Sequence, residues 1–190
     1  MIDDDLPPFA RCRRDALRIL AGAGGLLLGG RSTAQGSASV ASPRCVLTPA
    51  QTEGPYFVDE RLNRADIRAD PAAGAVRPGA QLTLELRVAA IAGTQCAPLS
   101  GAIVDIWQCD ALGNYSDVGA ARGTHFLRGY QLTDAEGSVR FTTIYPGAYP
   151  GRAVHIHFKI RAGAPGRPRE FTSQLYFDDA LTDRVHHAAA

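Results

Sequence analysis

Hydrophobic and polar residues alternate along several short segments of this chain. Between Gln81 and Ile91, three leucines and a valine occupy alternate positions, and threonine, glutamate and arginine occupy the positions between them. Because successive side chains of a strand point to opposite faces, this pattern predicts a half-buried β-strand. Four further apolar segments have the length and composition of strands: Ala102–Cys109, Val139–Ile144, Ala153–Arg161 and Phe171–Phe177.

Turn-forming residues separate these segments, for example at Asp110–Asn114 and Pro146–Gly147. Beyond residue 41 no stretch has a convincing helical period, although Ala180–His187 has the composition of one helical turn. Short strands punctuated by turns are typical of sandwiches and barrels. The pattern therefore predicts an all-β fold, a two-sheet β-sandwich of the immunoglobulin or prealbumin type.

One polar segment precedes the first predicted strand. Thr48–Arg68 contains two prolines and shows no strand-like alternation. We expect it to form an extended N-terminal arm that lies across the sandwich. Such an arm either covers an active site or contacts another subunit.

The first 41 residues differ in kind from the rest. Arg13 and Arg14 precede an apolar run of small residues that ends at Gly30, and a Ser- and Ala-rich stretch follows. This order is that of an export signal, and the paired arginines indicate the twin-arginine route. The alternative is a membrane anchor, for which the run is too short and too rich in glycine. We predict an export signal and cleavage region at residues 1–41, one β-sandwich domain at 42–190 without a stable membrane span, and a periplasmic or secreted location.

Charge and cysteine content narrow the picture further. Residues 42–190 carry 15 basic and 15 acidic residues, so they lack the basic surface of a nucleic-acid-binding protein. An oxidising compartment permits disulfides. Cys45 and Cys96 fall in loops or at strand ends and are the predicted pair, whereas Cys109 is predicted to be buried and free.

Two histidines in the segment Ala153–Arg161 are the first candidates for chemistry. His155 and His157 are two positions apart, so on a strand both imidazoles point to the same side and can share a metal ion. A cupin site or a two-histidine, one-carboxylate iron site needs an acidic ligand, and the nearest acidic residue downstream, Glu170, falls in a polar loop. The spacing argues against both sites and leaves the metal open.

Two tyrosines are the other candidates. Tyr149 lies between Pro146 and Pro150, where a rigid loop fixes its direction, and Tyr115 ends the turn at Asp110–Asn114. A free phenol has a pKa near ~10, so only a strongly Lewis-acidic ion such as Fe(III) holds it deprotonated at neutral pH. Either tyrosine alone is more simply a loop residue that packs on the sandwich.

In combination, these residues lie in sequence blocks that resemble the intradiol ring-cleavage dioxygenase family, which includes catechol 1,2- and protocatechuate 3,4-dioxygenases. The resemblance extends from Thr48 to about Asp183, and several blocks occur in the family's order. The blocks are TPAQTEGPYF (48–57), LNRADI (62–67), DIWQCDALGNYS (105–116), FLRGYQLTDAEGSVRFTTIYPGAYPGR (126–152), HIHFKI (155–160) and QLYF (174–177). The TDAEG hairpin also resembles metal-free transthyretin-like sandwiches, so it supports the fold only.

The resemblance implies a non-haem Fe(III) site with four protein ligands. Tyr149 and His157 match the axial ligands, Tyr115 and His155 match the equatorial ones, and hydroxide completes the set. His125, His186 and His187 match no ligand position, and we expect them at the surface.

The resemblance also implies a reaction. A catechol-type aromatic and dioxygen are the expected substrates, and a cis,cis-muconate-type diacid is the expected product. Arg152 and Gln174 match active-site residues of the family, and Tyr149 is the ligand expected to give way to the substrate. The chain lacks the helical domain with which catechol 1,2-dioxygenases dimerise, so a homo-oligomer stays open.

Two other functions remain compatible with the sequence. The first is a dioxygenase-like sandwich that has lost catalysis and serves as a binding module. The second is a protein that uses the histidine pair to bind a different ion. Both are distinguished from the enzyme by whether Tyr115 and Tyr149 join the two histidines in one site.

Overall fold

The computed structural model describes residues 47–92, 95–164 and 166–189. These residues form eight β-strands, a short 3-10 turn at Gly119–Ala121 and one helix. The strands are β1 (Gln81–Arg87), β2 (Ala89–Ala92), β3 (Gln95–Pro98), β4 (Ile103–Trp107), β5 (Arg128–Leu132), β6 (Ser138–Ile144), β7 (His155–Ala164) and β8 (Arg167–Tyr176), and the helix is α1 (Asp179–Ala189).

The strands build a two-layer sandwich. Four antiparallel strands form the main sheet in the order β5–β4–β7–β8, while β1 pairs with β6 and β2 pairs with β3. One face of the main sheet packs against the β1–β6 pair, whose leucines are partly buried there. The described residues thus confirm the predicted all-β sandwich. Its buried core is formed by Ile67, Val88, Val104, Ile106, Val139, Phe141, Ile156 and Phe158.

The opposite face of the main sheet carries polar and aromatic side chains. Residues between the core positions of a strand point away from the core, and in β4 and β7 these residues are nevertheless buried: Asp105, Trp107, His155, His157 and Lys159. Charged and polar groups are buried at low cost only when partners satisfy them. This face therefore needs a cover that supplies such partners.

The arm, Thr48–Arg68, provides that cover, as predicted. The Gln51 N–H donates to the Thr172 carbonyl, and the Phe57 ring lies 4.1 Å from the Lys159 ammonium. Three acidic residues of the arm pair with cations of the sheet: Glu53 with Lys159, Asp59 with Arg161 and Glu60 with Arg128.

The strand predicted at Gln81–Ile91 is divided in two, and this prediction was wrong in its extent. The chain leaves β1 at Val88, whose N–H donates to Gly137 and whose carbonyl accepts from Leu99. The following residues therefore pair with β3 and not with β6. Sequence analysis also missed β5, because its exposed and buried positions do not alternate: Arg128 is buried.

The C-terminal helix is longer than the single turn predicted. Asp178 caps its start, because the carboxylate accepts from the Leu181 N–H at 2.9 Å and the carbonyl accepts from Thr182. His187 is exposed, as expected. His186 is half-buried, and its Nε2 hydrogen-bonds the Pro146 carbonyl at 3.0 Å.

Two cysteines are found in the described residues. Cys109 is free and buried, which confirms the prediction. Cys96 is disulfide-bonded. Cys45 lies outside the described residues, so the pairing with Cys45 stays a prediction. The predicted export signal at 1–41 also lies outside them. None of the helices in the described part of the chain has the length and apolarity required to cross a bilayer.

Candidate active site

Strand register places both histidines on the arm-covered face. In the main sheet His157 lies between Trp107 of β4 and Gln174 of β8, and His155 lies opposite Tyr176. Cross-strand neighbours on one face contact each other, and the Trp107 and His157 rings stack with centroids 4.9 Å apart and planes 6° apart. The two imidazoles therefore project side by side from β7.

A carboxylate-capped turn positions Tyr115. The Asp110 side chain accepts from the Leu112 N–H at 3.0 Å and the Asn114 N–H at 2.9 Å, a pattern that makes aspartate a turn former. Gly113 takes a positive φ of 84° in this turn. The turn brings Tyr115 back to the sheet, where its ring is buried beside Trp107.

The loop that carries Tyr149 lies directly on this turn. A Cβ on Gly147 would come within 2.4 Å of the Ala111 carbonyl oxygen, so only glycine permits the contact. The Gly147 N–H donates to the Asp110 carbonyl, and the Cys109 thiol donates to the Gly147 carbonyl at 3.4 Å. Burial raises the pKa of Cys109 to about 11, so the thiol keeps the proton that it donates. The two tyrosine-bearing segments are thus fastened together.

The four predicted ligands converge on one point. From His155 Nε2, the distance is 3.0 Å to His157 Nε2, 3.1 Å to Tyr149 Oη and 3.5 Å to Tyr115 Oη. The rings of Tyr115 and Tyr149 meet edge-on at 5.9 Å. Three parts of the chain therefore form a single cluster of two nitrogens and two oxygens: the turn after β4, the loop after β6, and strand β7 itself.

The hydrogen bond made by His155 indicates that a cation suits this cluster. The His155 Nδ1 lies 2.6 Å from the Ala153 carbonyl and must carry a proton to bond it, which leaves Nε2 as a bare lone pair in the neutral ring. Three groups lie within 3.5 Å of that lone pair, but at most one of them can donate a hydrogen bond to it. For bonds of about 2.1 Å, ligands at right angles around a metal lie about 3.0 Å apart, close to the shortest distances here. The residues therefore fit a bound metal ion.

The other ligand types do not complete the site. Within the residues that the structure describes, no three His, Cys, Asp or Glu side chains are grouped so as to hold a metal. Among the described side chains, the phenols of Tyr115 and Tyr149 lie close enough to His155 Nε2 to complete a ligand set. Glu170, which the sequence analysis placed in a polar loop, lies instead in β8 opposite Arg161, so that placement was wrong, and its carboxylate pairs with Lys159 at 3.6 Å.

Burial controls the charge of these groups. Desolvation lowers the pKa of His157 to about 3, with help from His155 and Arg152, and burial likewise lowers the pKa of His155. Burial also raises the pKa of Tyr115 above its ordinary value, and the hydrogen bond to Tyr149 raises this pKa further. The cluster without a metal is therefore two neutral imidazoles and a protonated Tyr115, and ionising that phenol requires a strong Lewis acid.

The metal-free protein is expected to lose stability as the pH falls. His157 is neutral when folded but binds a proton near pH 6.5 when unfolded, so acid favours the unfolded chain between about pH 6.5 and about pH 3. The contribution of His157 amounts to about 2 kcal/mol by pH 5. Urea unfolding at pH 7 and pH 5 measures it, with His157→Gln showing a smaller decrease than wild type. Equal decreases in both proteins would contradict the neutral, buried imidazole.

Arg152 and Gln174 are also brought to this site. The Arg152 guanidinium donates to Gln174 Oε1, and the Gln174 amide donates to the Thr52 carbonyl at 2.8 Å. Sequence analysis missed Tyr176, whose hydroxyl donates to Gln174 Oε1 at 2.9 Å. Its position two residues after Gln174, on the same face of β8, is the signal that could have found it.

The arm closes one side of the cluster. The Tyr56 ring stacks on Tyr115 with centroids 4.4 Å apart, and Gly54, with a φ of 72°, lies against the His157 ring. Two arginines of the arm, Arg64 and Arg68, are held by partners outside the cluster. Arg64 bonds the carbonyls of Ala69, His125 and Arg128, and Arg68 pairs with Asp66.

The fold and the cluster define a class: a β-sandwich protein with two histidines and two tyrosines gathered under an arm. A family model described as dioxygenase matches residues 52–189. The chain belongs to this family, the intradiol ring-cleavage dioxygenases.

Known proteins are similar to most of the described region. An intradiol ring-cleavage dioxygenase from Tetranychus urticae is 35% identical with a TM-score of 0.63, over 75% of this chain and 70% of that one. The dioxygenase domain of a dioxygenase–carbohydrate-binding fusion from Streptomyces sp. SirexAA-E is 39% identical with a TM-score of 0.55, over 73% and 82%. Catechol 1,2-dioxygenase 2 of Acinetobacter lwoffii is 31% identical over 69% of this chain, which spans 51% of that relative's length.

Proposed function

We propose that this protein is a non-haem Fe(III) dioxygenase that cleaves a catechol-type aromatic between its two hydroxyl-bearing carbons. The observation that carries the proposal is the convergence of His157, Tyr149 and Tyr115 on the single lone pair of His155 Nε2. Family membership supports cleavage of catechol-type rings in general.

Four side chains hold the ion in this proposal. His155 and His157 supply neutral nitrogens, since burial keeps both imidazoles unprotonated. Tyr115 and Tyr149 supply phenolate oxygens that offset the charge of Fe(III). When bound, Fe(III) supplies the Lewis acidity that holds the phenols ionised and makes the bound diol reactive toward dioxygen.

The two tyrosines have different roles. Tyr115 is buried beneath Tyr56, whereas Tyr149 is half-buried in a loop. We assign Tyr149 as the group that turns away when the substrate binds, and its phenolate oxygen takes a proton from a catechol hydroxyl. Tyr115 stays in place because the stacked arm blocks its movement.

Arg152 provides positive charge beside the cluster. Its guanidinium is held by Gln174, which the arm carbonyl of Thr52 and the hydroxyl of Tyr176 fix in turn. A preorganised cation of this kind stabilises negative charge that develops on the ring during the reaction. Overall, both atoms of dioxygen enter the product, a cis,cis-muconate-type diacid.

The proposal predicts a coloured, active protein. Protein produced with sufficient iron should contain about one Fe(III) per chain and be wine-red, because tyrosinate ligands give a charge-transfer absorption band. A panel of catechols, followed by oxygen uptake and by the ultraviolet spectrum of the product, tests turnover. Colourless, iron-free protein would reject the enzyme and favour the binding module, whereas bound iron without the visible band would favour a different metal site.

We also propose that the protein is exported. The Arg13-Arg14 pair and the apolar run that follows it support this proposal, and disulfide-bonded Cys96 agrees with an oxidising compartment. Cell fractionation decides it: mature protein confined to the cytoplasm would contradict export.

A further inference from the structure

Three buried polar atoms beside or within the site have no hydrogen-bonding partner among the described residues. They are Glu60 Oε1, Trp107 Nε1 and His157 Nδ1. A buried polar group without a partner forfeits its hydration, and native structures rarely tolerate this. Each of these atoms therefore requires an explanation.

Glu60 and Trp107 both belong to the wall of one small cavity. The cavity has a volume of about 10 Å³ and lies between the arm at residues 57–62 and the adjoining ends of β4 and β5. One water molecule requires roughly 10–15 Å³. The cavity volume is at the lower limit for one water molecule and too small for an organic ligand.

The atoms of Glu60 and Trp107 that make no hydrogen bond are complementary. The indole Nε1–H of Trp107 only donates, and the carboxylate oxygen of Glu60 only accepts. A molecule that accepts one bond and donates another satisfies both, and water does so. Glu60 is held in place through both oxygens: Oε2 bonds His125 Nδ1 at 2.6 Å, and Oε1 forms an ion pair with Arg128 Nε at 3.4 Å. Oε1 makes no hydrogen bond among the described residues and can still accept one.

The Trp107 indole also contacts His157, one of the proposed iron ligands. The His155 ring is fixed by its bond to the Ala153 carbonyl, the usual way in which a ligating histidine is oriented. The Nδ1 of His157 has no such bond among the described residues. Its ring is held by the parallel stack on Trp107, with planes 6° apart.

We propose that an ordered water in this cavity accepts a hydrogen bond from Trp107 Nε1–H and donates one to Glu60 Oε1, and that Trp107, held by this water, is the positioning residue for His157. The water site is independent of the reaction. The positioning role rests on the proposed function, since it concerns His157 as an iron ligand. The arm thereby contributes to ligand geometry through Glu60 as well as by covering the site.

The water can be tested without any activity measurement. A crystal structure at about 1.5 Å should show a density peak within hydrogen-bonding distance of both atoms. Trp107 is the only tryptophan of the chain, so the iron-free protein has a single indole N–H resonance, and magnetisation transfer to it from a long-lived bound water is expected. An empty cavity, or a direct bond between Trp107 Nε1 and Glu60 Oε1, would overturn the water site.

Two substitutions separate the indole's two roles. Trp107→Phe keeps a ring on His157 and removes the N–H, so the water should be lost while iron affinity changes by less than about tenfold. Trp107→Leu removes the stack, so iron affinity should fall by about 10- to 100-fold, the range for groups that orient metal ligands. Its charge-transfer band should also shift. Phe171→Leu is the matched control, because that ring packs on Phe158 in the core, and it should leave affinity and spectrum unchanged.

The outcomes distinguish the two claims. If Trp107→Leu binds iron with wild-type affinity and an unchanged visible spectrum, the positioning role is rejected. If Trp107→Leu does not fold, Trp107→Phe decides: a loss of affinity beyond about tenfold despite a retained ring contradicts the stack as the cause. If wild-type protein binds no iron, the proposed function and the positioning role both fail. The crystal structure and the indole N–H resonance still test the water site independently.

Discussion

Tyr115→Phe is expected to lose at least about 100-fold in catechol turnover, more than the 10- to 100-fold typical of groups outside the ligand shell. The substitution removes one oxygen, which lies 3.5 Å from His155 Nε2, and leaves the ring stacked under Tyr56. In the proposed site, the loss of that phenolate leaves one anion fewer to balance Fe(III). Iron content, the visible absorption band and oxygen uptake measure the effect.

Tyr145→Phe is the matched control for this prediction. It also removes a single phenol oxygen, but that oxygen bonds Thr182 of α1 at 2.7 Å and lies outside the cluster. Iron content, colour and turnover should stay at wild-type values, and only stability should decrease slightly. Turnover and colour that survive Tyr115→Phe unchanged would remove Tyr115 from the ligand set and reduce the proposed site to three residues.

Arg128→Met is expected to lower the free energy of unfolding by about 3–5 kcal/mol, the usual effect of removing one partner from a buried charge pair. The Arg128 side chain is 4% exposed and Glu60 is 9% exposed. The guanidinium also bonds the hydroxyl and carbonyl of Ser116 and the carbonyl of Tyr56. Its removal leaves the buried Glu60 carboxylate with His125 as its remaining partner and frees three groups beside the site. Urea unfolding of the iron-free protein measures the change.

An exposed pair provides the control for Arg128. Arg140 bonds Glu85 at 2.9 Å, with side chains 70% and 43% exposed, so Arg140→Met should change stability by less than about 1 kcal/mol. The double variant Arg128→Met/Glu60→Gln should recover part of the stability lost in the single variant, because no charge is then left buried. A single variant as stable as Arg140→Met would show that Arg128 is solvated in solution.

The local sequence pattern was enough to predict the sandwich and the shared direction of the two histidine side chains. Alternation in β1 and β7 sets which side chains share a face, and a spacing of two residues in a strand fixes His155 beside His157 whatever the rest of the chain does. The arm was predicted for a similar reason, since a polar segment with prolines cannot join a central strand.

Long-range pairing produced what the pattern could not show. The strand predicted at residues 81–91 broke at Val88 because its backbone bonds Gly137 and Leu99, far away in sequence. β5 was missed because Arg128, an apparent surface residue, is buried by Glu60 of the arm. Tyr176 joined the site through its bond to Gln174, although no sequence block had singled out its role.

The sequence by itself determined which residue types are available for chemistry. It also determined that His155 and His157 point to the same side of β7. Bringing Tyr115 and Tyr149 within 3.5 Å of His155 Nε2 was decided only by the tertiary structure. The reason is physical. Side-chain direction within a strand follows from backbone geometry alone, whereas the contact between two loops depends on how their backbones pack, here through Gly113 and Gly147. The same packing stacks Trp107 on His157 and lays Glu60 beside the cavity.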